Sequence, residues 1–337
     1  MNISTQLIKK SCLIFGALFF IATPIVWTSL FFTNYHGDLT RIGKWTEADF
    51  GWQKEQPVID PKLLVSNSIK DADTLVIGDS FSENLHWQSV LTQAQHKVTT
   101  LTWSQIGDIC EDFPEKLKAS GFKGKTIVIE SIERIADRQL KSSANCKVNK
   151  PIPQNTARIS NSIPATINLS PKFNIQGQFV AGLETIVHTA AIRVNPTYTK
   201  MHNYRSKGTQ IHPIDNGCDY FSNQLCQFGL FFHEDYEQAS LSSQTLQYLE
   251  TINKRLNTYQ VTWAIVPNKS SIYQREVSEQ FWIDLNKKKL GPNLYNSMQH
   301  EKSNIKDMYA PNDTHLSTAG YLFLGQEIQS SLKNIKF

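Results

Sequence analysis

The chain has 337 residues, of which 40% are hydrophobic and 19% charged. That is enough apolar surface for a sizeable core and too little charge for a disordered chain. Its 34 basic and 30 acidic side chains leave a net charge of +4, too slight and too scattered to make nucleic acid a main partner. The 16 glycines and 13 prolines rule out a fibrous or low-complexity chain. The length allows one large domain or two ordinary ones.

In chain order, the first feature is apolar. After Lys9 and Lys10 the chain runs from Ser11 to Phe32 without a charged residue. That is about the length needed to cross a bilayer. Trp27 and Tyr35 stand where an interfacial aromatic belt would be. The run is long for a signal peptide and no small-x-small cleavage site follows it, so an uncleaved, single-pass anchor is expected. Lys9 and Lys10 place the N-terminus in the cytoplasm and the bulk outside, which in a bacterium means an inner-membrane protein with its main domain in the periplasm. The expected organisation is a cytoplasmic tip and anchor over 1–35, a polar approach segment over 36–70, and a domain over 71–337 with an irregular insertion at about 141–235.

Cysteine usage agrees with export. Cys12 lies in the span, and Cys110, Cys146, Cys218 and Cys226 make an even set that suggests two disulfides with three possible connectivities. Cys110–Cys146 with a local Cys218–Cys226 loop is the simplest pairing. The rival is a metal site of Cys218, Cys226, His212 and His233, whose spacing matches no zinc pattern. No cofactor is expected.

Short apolar runs alternate with helical segments. Asp73–Gly78, Lys97–Trp103 and Lys125–Glu130 read as strands, with helices over Glu83–Ala94, Glu111–Ser120 and Ser131–Leu140. This alternation predicts parallel strands in a doubly wound α/β sheet. Residues 141–177 read as a long loop, Gln178–Val194 as a helix and 195–235 as irregular. A helix near Gln238–Thr258, the strand Gln260–Pro267 and helices near Arg275–Lys289 and Thr318–Leu332 complete the pattern.

Chemistry concentrates at two places. Gly78-Asp79-Ser80-Phe81 ends the first strand and opens a helix. A serine there can be a nucleophile whose own N–H helps hold an oxyanion; the plainer reading is that Asp79 or Ser80 caps the helix. Near the C-terminus, Asp313-Thr314-His315 precedes the last helix. An Asp two residues before a His can orient the ring and stabilise its protonated form, leaving Nε2 to face Ser80.

GDSF after the first strand, paired with Asp-x-His near the end, resembles the SGNH/GDSL hydrolase superfamily over about residues 70–335. The resemblance implies a flavodoxin-like three-layer α/β/α fold with a parallel sheet and a Ser80–His315–Asp313 site. It also implies an oxyanion donor from Gly107 after the second strand. The superfamily's Gly-x-Asn-Asp block is replaced here by Glu130-Ser131-Ile132-Glu133-Arg134. One oxyanion donor is therefore missing or supplied by Arg134, which is equally readable as half of an ion pair. Glu133-Arg134, Val266-Pro267-x-Lys269 and the Asp-x-His triplet are similar to SGNH-like proteins of alginate and other surface-polysaccharide O-acetylation. Lys269 is then a candidate for meeting an acidic sugar, or a surface lysine. Trp103, Trp263 and Tyr273 are candidates for stacking on sugar rings, or core residues. The resemblance implies a membrane-anchored O-acetyltransferase that acts through a serine acyl-enzyme on a glycan acceptor, fed by a membrane-bound O-acyltransferase partner. The same site acting with water would be an esterase or deacetylase. A degenerate glycan-binding or assembly domain is the non-enzymatic alternative.

Overall fold

A computed structural model describes residues 3–195, 197–204, 207–237 and 241–334. It begins with a 27-residue helix, α1 (Ile3–Ser29), whose apolar window over Gln6–Phe32 has mean hydropathy 2.0 and is only 6% buried. Among the described residues, one helix is thus long and apolar enough to cross a membrane. Pro24 lies inside it.

The next segment departs from expectation. Residues 36–70, read as a polar approach, fold onto the domain. Leu39 and Ile42 of α2 (Asp38–Gly43), with Trp45 and Phe50, form a second hydrophobic cluster with Ile192, Ile211, Phe228, Leu230 and Phe232. The apolar residues here are few and separated by polar ones, so their common face is visible only once their distant partners are in place.

The central sheet is parallel and has four strands: β1 (Thr74–Gly78), β2 (Val98–Thr102), β3 (Thr126–Ile132) and a fourth strand late in the chain, in spatial order β2–β1–β3–fourth. β1, β3 and the fourth strand are largely apolar, as a strand covered on both faces requires, whereas β2, at the sheet edge, is Val-Thr-Thr-Leu-Thr. β1 feeds α3 (Ser80–Glu83). The single helix expected over Glu83–Ala94 is broken, because Leu85 takes a left-handed backbone (φ 62) before a second helix at Gln88–Gln93. β3 leads into α4 (Glu133–Asn145), which starts two residues later than expected because Ser131 and Ile132 remain paired with the fourth strand.

The insertion is more ordered than its sequence suggested. After α5 (Phe179–Val194) come β4 (Lys200–Tyr204), β5 (Lys207–Pro213) and β6 (Phe228–Phe232), a three-stranded antiparallel sheet in which Ile211 pairs with Leu230. The helix expected from Gln238 runs as α6 (Ser243–Arg255), its anticipated start at 238–240 lying outside the described residues. The fourth parallel strand is β7 (Gln260–Val266), followed by α7 (Lys269–Tyr273) and the C-terminal α8 (Thr318–Asn334). Right-handed crossovers put connections that step in opposite directions on opposite faces of the sheet. Accordingly α8 packs with Gln88–Gln93, and α6 with α4.

Two disulfides join Cys110 to Cys146 and Cys218 to Cys226, leaving Cys12 free. The rival metal set is thereby dissolved, since both of its thiols are bonded to each other. Alkylation of the unfolded chain without reductant should modify Cys12 alone, with four more additions after reduction. More than one addition before reduction would refute the pairing. Closing the 36-residue separation should stabilise the fold by about 4 kcal/mol through the loss of unfolded-state entropy.

Candidate active site

The carboxyl ends of all four parallel strands meet at one edge, the place where open α/β sheets bind their ligands. Gly78 ends β1 where nothing larger fits: a Cβ there would lie 2.1 Å from Ser82 Oγ and 2.7 Å from Glu130 Oε2. Asp79 caps α3. Its Oδ1 accepts from Phe81 N (2.9 Å), and its Oδ2 accepts from Ile132 N at the end of β3 (2.8 Å). The Asp79 side chain therefore ties the serine turn to the neighbouring strand.

Glu130, fully buried in β3, supports the turn from below. Its Oε2 accepts from Asp79 N (3.0 Å) and Ser82 Oγ (2.7 Å). Burial, and then the nearby Asp79 charge, raise its carboxyl well above the ordinary value, which favours its neutral form. Its function was not legible as sequence because a lone Glu at a strand end carries no pattern.

Above this platform Ser80, Asp313 and His315 come together. His315 Nε2 lies 2.9 Å from Ser80 Oγ, and His315 Nδ1 lies 2.7 Å from Asp313 Oδ1. The same Oδ1 accepts from the backbone N–H of His315 (3.0 Å), and Oδ2 accepts from that of Asp38 (3.0 Å). Ser80 is exposed while His315 and Asp313 are about three-quarters covered. Phe81 packs against the His315 ring at 4.9 Å between centroids. Burial works to raise the Asp313 carboxyl, but hydrogen bonding and charge from His315, with the two backbone N–H groups, hold it well below the usual carboxylate range. Burial alone would lower His315. The hydrogen bond and charge of Asp313 outweigh it, so the imidazole is raised above its ordinary value, against an opposing contribution from Arg134. Asp38 Oδ1, which together with Asp313 and His315 would make a metal-like cluster within 4.8 Å, is paired with Arg41 at 2.6 Å.

The loop bearing this pair is fastened from two sides. Asn312 O accepts from Leu39 N and Thr40 N (3.0 and 3.2 Å), and Asn312 Nδ2 donates to buried Glu47 (2.7 Å). A Cβ on Gly37 would lie 2.1 Å from Asn312 O, so only glycine permits this approach. On the inner side Lys269 Nζ donates to the carbonyls of Ala310 (2.8 Å), Pro311 (2.9 Å) and Asp313 (3.1 Å). A cavity of about 190 Å³ opens beside the pair, and His36, Trp52, Gln56, Asn84 and Tyr321 are among its lining residues. His36, Asp38, Trp52 and Gln56 all come from the segment read as a mere approach.

Several expectations are corrected. The Gly107 N–H is donated to Trp103 O (2.8 Å), closing a short helix whose end takes a positive φ of 72°, so it is not a free oxyanion donor. The Arg134 guanidinium meets fully buried Asp235 at 3.2 Å and lies over the Phe232 ring. That is the ion-pair reading, although its charge still reaches His315. Lys269 faces inward, 1% exposed, and meets no solvent-borne sugar. Trp263, Trp103 and Tyr273 are 0%, 9% and 8% exposed, hence core; Trp103 Nε1 donates to Glu130 O at 2.8 Å.

No protein-family model matches the chain, and neither a curated protein nor a solved structure is found similar to it.

Proposed function

We propose that this chain is a membrane-anchored serine acyltransferase of SGNH type that moves acetyl groups onto a surface glycan on the periplasmic side of an inner membrane. The observation that carries the reading is the hydrogen-bonded series Ser80–His315–Asp313, with steps of 2.9 and 2.7 Å. A serine, a histidine base and a carboxylate that orients it make an acyl-transfer site wherever this geometry recurs. The strand order is that of the first four strands of flavodoxin-like sheets, which supports the SGNH-type, three-layer assignment.

In the first half-reaction Ser80 Oγ attacks the donor's carbonyl carbon and passes its proton to His315 Nε2, which delivers it to the departing group. In the second, a sugar hydroxyl gives its proton to His315 and attacks the acyl-serine, and Ser80 recovers the proton as the ester bond to it breaks. Asp313 stays ionised throughout and stabilises the imidazolium. Ser80 N–H, at the first helical position, is one of the donors α3 leaves without an intrahelical acceptor. An acetyl donor outside the cytoplasm implies a membrane-bound O-acyltransferase partner that hands the group across.

Fluorophosphonate treatment of the purified full chain tests the reading. Ser80 should be labelled in the wild type, with labelling lost in both Ser80→Ala and His315→Ala. Acetyl-Ser80 formed from an activated ester should then pass its acyl group to sugar acceptors. Release to water alone would replace the transferase by an esterase. A folded chain that never labels would leave a glycan-binding or assembly domain.

A further inference from the structure

The N-terminal turn of α5 and the loop before it carry an apolar surface that no other described part of the protein covers. From Lys172 to Phe179 the chain alternates polar and apolar residues, and Ile175, Phe179 and Val180 are exposed at 80%, 44% and 52%. This surface continues directly from α1. Phe173 stacks on Trp27 at 5.2 Å and touches Phe31 at 5.4 Å. Gly182 of α5 lies so close to the last residue of α1 that a Cβ would sit 2.0 Å from Ser29 O. One turn further on, Thr185 Oγ1 is hydrogen-bonded to Tyr35 at 2.9 Å. The residues of α5 that follow Gly182 thus rise beside the chain leaving α1, whereas Phe179 and Val180 lie within a turn before Gly182 and the Phe173 ring reaches the level of Trp27. That level falls inside the apolar window of α1, which ends at Phe32. Exposed Glu184 and exposed Lys172 flank this surface.

We propose that Trp27, Phe31, Phe173, Ile175, Phe179 and Val180 form one face that sits in the outer-leaflet lipid of the membrane crossed by α1. The proposal rests on the reading of α1 as an anchor. If α1 crosses the bilayer, this face is already at the depth of the acyl-chain boundary, where apolar side chains leave water and a flanking lysine meets headgroup phosphate. The face is a second attachment that stops the domain swivelling about α1. It also fixes the height of the chemistry. Phe32 and Asp38 are six residues apart, and the Asp38 N–H holds Asp313, so the carboxylate stands within about 25 Å of the end of the span even if that stretch is fully extended. A site held so low takes its acyl group at the membrane surface rather than from a freely diffusing donor.

The test uses the full chain with Cys12→Ser, carrying a single environment-sensitive fluorophore, in vesicles of zwitterionic and anionic phospholipid with nitroxides near the head of the acyl chain. The label is attached without reductant at Val180→Cys on the face, at the exposed Ile283→Cys in the helix Gln280–Lys287 as a water reference, or at Leu13→Cys within α1. Emission from the Val180 label should shift to the blue and be largely quenched, and that from Ile283 should do neither. A Val180 label that behaves like Ile283 while Leu13 is quenched would overturn the lipid face and leave the anchor intact. If Leu13 also stays unquenched, the anchor reading fails and the face with it.

Discussion

Asp313→Asn is expected to slow acylation of Ser80 by about four orders of magnitude and to move the acid limb of its pH profile to lower pH. The two effects have separate causes. In the wild type His315 must be neutral at Nε2 to take the serine proton. Its folded value is raised above the ordinary 6.5 by the hydrogen bond and charge of Asp313, which overcome burial. The acylation rate therefore climbs with pH through a limb above 6.5. Removing the carboxylate charge leaves burial, the largest influence, and Arg134, which lower His315 against a smaller opposing charge from Asp38, so the limb should shift towards acid. The loss of rate comes from the tautomer. An Asn amide directed at Nδ1 donates rather than accepts, so the ring carries its proton on Nε2 and cannot accept one from Ser80. The Asn side chain keeps an oxygen for the Asp38 N–H and loses the acceptor for the His315 N–H, while the Asn312 and Lys269 bonds that fasten the loop are untouched. Rates of Ser80 phosphonylation by a fluorophosphonate across the neutral range would check both effects. An unchanged rate, or a limb that stays in place, would mean that Asp313 does not act on Ser80 through His315.

Part of this site is plain in the chain, and the reason is local. Gly78-Asp79-Ser80 is bounded by an apolar strand and a helix start, and Asp313-x-His315 needs only two residues of spacing to bring carboxylate to ring. The four parallel strands are legible because each is a short apolar or Val- and Thr-rich run between turn signals. What is hidden is non-local or conformational. The Asp38–Asp313 contact joins positions 275 apart, and no periodicity in 36–50 announces it. β4 alternates polar and apolar residues so weakly (Lys-Met-His-Asn-Tyr) that it reads as irregular, and it becomes a strand by pairing with β5. The short helix ending at Gly107 turns that residue's N–H back onto Trp103 O, a hydrogen bond that the family-like position of Gly107 does not reveal. Arg134 and Lys269 were each readable as substrate-facing cations. Both are instead committed to buried partners, because a charge that is removed from water must be paired or hydrogen-bonded.

Lys269 accordingly gives a large expected effect on stability. In its charged form its ammonium offers three protons to three carbonyls of the Ala310–Asp313 turn, and the neutral amine keeps two of those donors. Lys269→Met keeps the stem and removes the donors; Ala310 O keeps the Asp313 N–H at 3.2 Å, while the Pro311 and Asp313 carbonyls lose theirs, at a cost of about 2–4 kcal/mol in all. The same change frees the turn that presents Asp313 and His315, so acylation of Ser80 should fall in whatever fraction stays folded. The pH dependence adds a signature that a simple packing defect lacks. Burial lowers Lys269 from 10.5 to about 7, against the opposing charges of Asp313, Asp235 and Asp307. Between those two values the unfolded chain holds a proton that the folded chain has released, so the unfolded state binds more protons and the contribution of Lys269 to stability rises with pH across that window. Below about 7 both states are charged and the burial penalty is felt in full. Denaturant midpoints of the full chain at the two ends of the window should show this rise in the wild type and not in Lys269→Met. Equal slopes in the two proteins would show that Lys269 keeps an ordinary pKa in the fold. A variant as stable as the wild type would show that the three carbonyls do not depend on it.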